Sequence, residues 1–482
     1  MNYNLLDYGF IPVIWSDGRP ERIGIKTALA EAGRIRQIAA SNPMDNVALL
    51  RFLLAVLYWC KGLPPNQGEL DKILAAGQFP SDWFAKLDQH QDCFNLLGDG
   101  KRFYQDKAAR RPRTTTELLQ EIPTGNNFRH FRHSSDGDEG LCPACCALGL
   151  LRMTLFSVSG LPNLKSGING TPPIYVLPIG PSLLRTLSLN WIPYENLGDP
   201  TWAQLSDPQP NGDPVPFLRG LTTLARRVWL HEPTCPGGVC MGCGDKQSEL
   251  LRTCEFQTAG IQHNELWNDP HVIYIRKAKK GDNKQVRKAL TSPDLTKRFF
   301  RLDKPWSLLL SEIVSSGKHN SDSESTRLLL VGFATDKAKN VDVWERVCEL
   351  PPNPAAKQAD SPAAARIATW DKEGKRLSRR ITPKGSNTGG SEYIATIAAI
   401  RPHVEATVSS AIANLLARPE QSWPNAAGEY GPMMSAAAKS LSPGFTTRVL
   451  QRRNQIANAL PDMAPRPAAK PHKPKAKKGG EK

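Results

Sequence analysis

Met44-Asp45-Asn46-Val47-Ala48-Leu49-Leu50-Arg51-Phe52-Leu53-Leu54-Ala55-Val56-Leu57-Tyr58-Trp59-Cys60 is richly apolar and reads as a buried helix. Ahead of it, Leu5–Ile14 reads as a strand entering a core and Glu21–Ile25 as a returning strand, joined by the turn chemistry of Ser16-Asp17-Gly18-Arg19. Leu29, Ile35 and Ile38 give residues 27–40 a helical rhythm, and a short helix is expected over Pro80–Leu87. Further on, Leu148–Ser157 reads as helix, Ile174–Ile179 and Arg327–Phe333 as strands, and Val341–Leu350 as a hairpin arm or short helix. The expected fold class is α+β, a large mixed N-terminal domain with a C-terminal helical bundle.

At 482 residues the chain exceeds one ordinary core, and two or three domains are expected. Four prolines within Pro351–Pro362 mark the boundary. Residues 1–355 form the large mixed domain, 364–460 an Ala-rich C-terminal helical bundle, and 461–482 a disordered basic tail. No secretory signal precedes Leu5, and no apolar run approaches the roughly 18 residues that span a bilayer. A cytoplasmic protein with no membrane partner is expected. The formal charge is +16; the stretch 466–482 holds seven basic residues and one acid, a net +6 that leaves +10 elsewhere. That excess favours a polyanionic partner, because neutralising phosphates releases condensed counterions.

Seven of the ten cysteines fall between Cys142 and Cys254. Cys142-Pro143-Ala144-Cys145 and Cys240-Met241-Gly242-Cys243 are two C-x-x-C pairs, each able to offer two thiolates to one ion from a tight turn. Together they form a four-cysteine zinc site that staples distant segments, with Cys146 and Cys235 as substitute ligands. Four thiolates close the coordination sphere, so such a zinc is structural. The other reading is reduced cysteines in loops, or a redox dithiol.

Several segments, in order, are similar to one known family. They are Asp7-Tyr8-Gly9-Phe10-Ile11-Pro12-Val13, Pro43–Leu57, Arg102-Phe103-Tyr104-Gln105, Cys142–Ala147, Ser166–Pro173, Trp267-Asn268-Asp269-Pro270-His271 and Gly332–Ala338. Over roughly residues 5–350 they resemble the CasA family, the large subunit of the type I-E CRISPR Cascade surveillance complex. The resemblance implies a non-catalytic subunit. It would recognise the PAM, the short motif flanking a target, in double-stranded DNA, promote duplex opening (R-loop formation) for guide pairing, and serve antiviral defence. Its partners would be the CRISPR RNA-containing Cascade subunits and a helicase-nuclease effector.

Three elements are implicated in DNA contact by that resemblance. The polar loop after Pro123 carries Asn126, Asn127, Phe128, Arg129, His130 and Arg132, donors and aromatics suited to phosphates and minor-groove acceptors. The glycine-rich segment, with Lys165, Gly167, Asn169 and Gly170, lets backbone approach the groove, with Asn169 placing one side chain there. The tip Thr335-Asp336-Lys337-Ala338 matches a wedge that splits the duplex, with the cation of Lys337 in place of the family's frequent amide. Lys277, Lys279 and Lys280 lie in a basic stretch read as a phosphate track; a solvated loop is the plainer reading. His271 is expected to be structural, closing a turn.

No P-loop, H-E-x-x-H helix or nucleophile elbow is present, so no enzyme is expected. The alternatives are a stand-alone zinc-containing DNA-binding regulator, or a metal-dependent nuclease using Asp136, Asp138 and Glu139 beside His130 and His133.

Overall fold

The computed structural model describes residues 2–120, 140–158, 166–204, 214–258, 267–278, 285–289, 309, 327–336 and 339–349. The chain divides into two units, residues 1–293 with 304–353 and residues 294–303 with 354–482, and every described residue belongs to the first. The expected bundle and basic tail lie outside the described residues.

The apolar stretch forms the helix Pro43–Lys61. Asn42 caps it by accepting from the Met44 N–H at 2.9 Å, Pro43 occupies its first turn, and Gly62 ends it at φ 87°. By length and composition this helix is apolar enough to cross a membrane, contrary to the reading of the sequence by unbroken apolar runs. It is instead the core helix, mostly buried within the protein, and it carries the buried charges Asp45 and Arg51. Phe52 and Trp59 on this helix pack against Trp202, which also meets Phe94, Phe103 and Tyr104.

Ile11–Trp15 is the centre of a three-stranded antiparallel sheet, between Pro20–Ile23 and Ile35–Ile38. Ile11, Val13 and Trp15 face inward in strict alternation, which sets the register. The helical rhythm expected through Ala40 stops early: the helix covers Ile25–Ala30, and Ile35–Ile38 joins the sheet. Pairing with Ile11–Trp15 decides this; in the turn before that strand, a Cβ at Gly33 would sit 1.8 Å from the Gly77 carbonyl oxygen. Gly33→Ala is therefore expected to cost about 3 kcal/mol, the upper end of ordinary overpacking, read as a lowered midpoint in urea unfolding.

A second sheet has the order Arg111–Thr114, Thr253–Thr258, Arg226–Leu230. A third has the order Lys339–Glu349, Arg327–Asp336, Tyr175–Ile179. Its two long strands form the expected hairpin, but Tyr175–Ile179 pairs only with its base, Arg327–Val331. Tyr274–Ala278 and Gln285–Ala289 make a separate hairpin from the basic stretch.

Candidate nucleic-acid interface and metal centre

The two cysteine pairs come together from different kinds of local structure. Cys142 is the N-cap of the helix Pro143–Phe156 and Cys145 lies in its first turn, so this pair rides on a helix end and not on the expected tight turn. Positions three apart on a helix share a face, which aims both thiols the same way. Cys240 and Cys243 flank a turn between the short strands Gly238–Val239 and Lys246–Gln247. All four Sγ atoms lie within 4.8 Å of one another, with Cys142 Sγ and Cys243 Sγ 3.9 Å apart. A tetrahedral zinc with bonds of about 2.3 Å spaces its sulfurs by about 3.8 Å, so the set fits that ion.

The surroundings hold this arrangement. The Cys142 N–H donates to Cys240 Sγ at 3.1 Å, and the Met241 N–H to the Gly140 carbonyl at 3.2 Å. A Cβ at Gly242 would meet Cys145 Sγ at 2.8 Å, so only glycine fits that turn unchanged. Arg22, from the first sheet, bonds Asp245 at 2.9 Å and also reaches the Cys243 thiol. Hydrogen bonds from Cys142 and Cys145 hold the Cys240 thiol well below its ordinary range, whereas Cys145 is pushed far up. Cys142, Cys145 and Cys240 thus share protons that a bound dication would release. Cys146 is fully buried, and Cys235 is exposed; neither belongs to the cluster.

A second constellation lies under the glycine-rich turn. Arg51 donates to both carboxylate oxygens of Asp269, at 2.7 and 2.9 Å, and both partners are buried. Asp269 also accepts from the His271 N–H at 3.0 Å and from Asn169 Nδ2 at 2.8 Å. His271 Nδ1 takes a third bond from Arg51 Nη1 at 2.7 Å, leaving Nε2 to donate to Asn190 Oδ1 at 3.2 Å. Burial and the adjacent guanidinium hold His271 down to about 3, against the pull of Asp269. His271 is thus a neutral structural imidazole. Asp45 and Arg152 form a parallel buried pair, both contacts 2.7 Å, between helices Pro43–Lys61 and Pro143–Phe156.

Asn169 is therefore turned inward, correcting the expectation that its side chain projects into a groove. Its amide spends its donors on Asp269 and on the Tyr175 hydroxyl, 3.2 Å away. Gly167 is buried as well, and Gly170, at φ 75°, is half-buried before the exposed Thr171. What the turn offers outward is backbone near Gly170. Sequence reasoning missed Arg51 and Asp269; the signal was a lone arginine inside an apolar helix, which burial forces to find a carboxylate.

Asp336 ends its strand paired with Lys339. Lys277 lies in the Tyr274–Ala278 strand opposite Val286. Asn126, Asn127, Phe128, Arg129, His130, Arg132, Lys165, Lys279, Lys280 and Lys337 lie outside the described residues.

The family described as CRISPR-associated protein Cse1 matches residues 4–418. A CRISPR-associated protein CasA/Cse1 of Thermus thermophilus is 32% identical over 213 residues, which is 42% of this chain and 42% of that protein. The match thus spans about two fifths of that relative's length. The crystal structure of Thermus thermophilus CasA superposes with a TM-score of 0.67 at 20% identity, covering 95% of this chain and 99% of that one. A chain of a CRISPR RNA-guided surveillance complex gives 0.64 at 17%, covering 95% and 99%. These two likenesses establish the fold. With the family match running across most of its length, the chain belongs to the CRISPR-associated protein Cse1 family.

Proposed function

We propose that the protein is the non-catalytic large subunit of a cytoplasmic type I-E Cascade complex. In this reading it recognises the PAM in duplex DNA, promotes opening for guide pairing and recruits the helicase-nuclease. The family match over residues 4–418 carries the reading. Architecture supports it. The strands Arg327–Asp336 and Lys339–Glu349 make a hairpin of 10 and 11 residues supported by a third strand only at its base. At about 3.4 Å per residue it is roughly 34 Å long, a shape suited to a wedge with Asp336 and Lys337 at the tip. Inserting a wedge costs a few kcal/mol per unstacked step, offset as guide pairing proceeds.

The glycine turn then supplies minor-groove contact through backbone at Gly170 and the adjoining Lys165, with Asn169 setting its position from below. The loop with Asn126, Asn127, Phe128, Arg129, His130 and Arg132 contributes donors, and Lys277, Lys279 and Lys280 a phosphate track. Cys142, Cys145, Cys240 and Cys243 hold a structural zinc that fixes the base of that loop. A PAM-library binding assay on the assembled complex tests this. Lys337→Ala is expected to slow strand opening about tenfold, the worth of one charged hydrogen bond. Asn169→Gly is expected to weaken PAM discrimination. Unchanged opening and PAM preference in both variants would sink the placement of these elements.

A further inference from the structure

The stretch Lys107-Ala108-Ala109-Arg110-Arg111-Pro112-Arg113 holds four cations and no acid. Its second half leads into the strand Arg111–Thr114, exposed at every position and, among the described residues, hydrogen-bonded along only one side, to Thr253–Thr258. Arg110 folds back onto the carbonyls of Lys107 and Ala109. Lys107, Arg111 and Arg113 are exposed, and among the described residues none of them makes an ion pair. Of the nearby acids, Asp106 pairs with Arg227 at 3.2 Å, Glu232 with Arg102 at 2.5 Å and Glu255 with His231 at 3.5 Å, whereas Glu117 makes no ion pair among the described residues.

We propose that this edge strand and the turn before it form a phosphate-binding strip for duplex DNA, with Lys107, Arg111 and Arg113 as its cations. The inference rests on the DNA-recognition reading and extends it to residues that the family-like motifs do not include. Arg111 and Arg113 stand two apart on one strand, so they share a face about 7 Å apart. Their backbone is held in register opposite Phe256 and Cys254, whereas cations on a flexible tail must be ordered on binding. Lys107 is steadied by the Trp229 ring, whose centroid lies 5.1 Å from its Nζ. Cations and a proline on an edge strand also discourage pairing with other chains, a role that needs no ligand.

The salt dependence of duplex binding separates these roles. The assembled complex with guide RNA would be titrated with a PAM-bearing duplex across a salt series, for wild type, Arg111→Gln/Arg113→Gln and Arg111→Lys/Arg113→Lys. Losing two phosphate contacts should lower the slope of log Kobs against log salt by about 1.8 and weaken binding roughly tenfold near 0.15 M salt. The lysine pair should retain both, and PAM preference should not change. A glutamine variant that keeps the wild-type slope overturns the strip, whether or not it aggregates. Loss of subunit assembly or guide retention also overturns it, by assigning the cations to another partner. If a complex lacking this chain binds the duplex as well as the wild type, the DNA-recognition reading fails, and the strip with it.

Discussion

Asp269→Ala is expected to destabilise the folded chain by about 3–5 kcal/mol, because it strands the Arg51 guanidinium without its counter-charge. Both partners are essentially inaccessible, so no water replaces the lost carboxylate. The two strong contacts, at 2.7 and 2.9 Å, vanish together with the anchor for Asn169. Urea unfolding of the full chain reads the loss, and a midpoint within about 0.3 M of wild type would contradict it. The paired change Arg51→Met/Asp269→Leu should recover much of the stability, since removing both charges also removes their desolvation cost. It should not recover PAM discrimination, because Asn169 still lacks its acceptor.

The same cluster makes stability depend on pH with a defined sign. His271 titrates at about 3 in the folded chain, below its ordinary value of about 6.5. Between those values the unfolded chain binds a proton that the folded chain refuses, so stability falls as pH drops through that window. Burial pushes Asp269 up, but Arg51 outweighs it and holds the carboxyl below its usual range. Its contribution is therefore retained above about pH 4 and lost on further acidification. The thermal midpoint should decline from pH 7 to 4, and His271→Gln should flatten the upper part of that decline.

Cys240→Ser is expected to abolish metal retention, measured as zinc per chain after dialysis. Cys240 accepts from the Cys142 N–H as well as belonging to the cluster, so its loss also frees the segment that meets the other pair. With free metal at a thousandfold excess over Kd, binding to the folded state alone contributes about 4 kcal/mol. Chelation of the wild type should therefore lower its midpoint by a comparable amount and release residues 140–146 from 240–243. Cys235→Ser is the control: its thiol is exposed and outside the cluster, so metal content should not change. Equal zinc content in wild type and Cys240→Ser would refute the assignment.

Much was legible without coordinates, because it depended on local pattern. The helix Pro43–Lys61, the strand Ile11–Trp15 and the turn at Asp17-Gly18 follow from periodicity and turn chemistry within a few residues. The two C-x-x-C pairs were visible because a metal site restricts both residue type and spacing. Tertiary structure decided what local pattern leaves open. Residues 35–38 carry apolar residues at a spacing compatible with helix, yet contact with the edge of Ile11–Trp15 made them a strand. Asn169 looked like an exposed amide in a glycine turn until Asp269, one hundred residues later, claimed it. Arg51 in its apolar helix and the open edge of Arg111–Thr114 acquire meaning only from segments remote in sequence. Desolvation and pairing act through space, and spacing along the chain does not encode them.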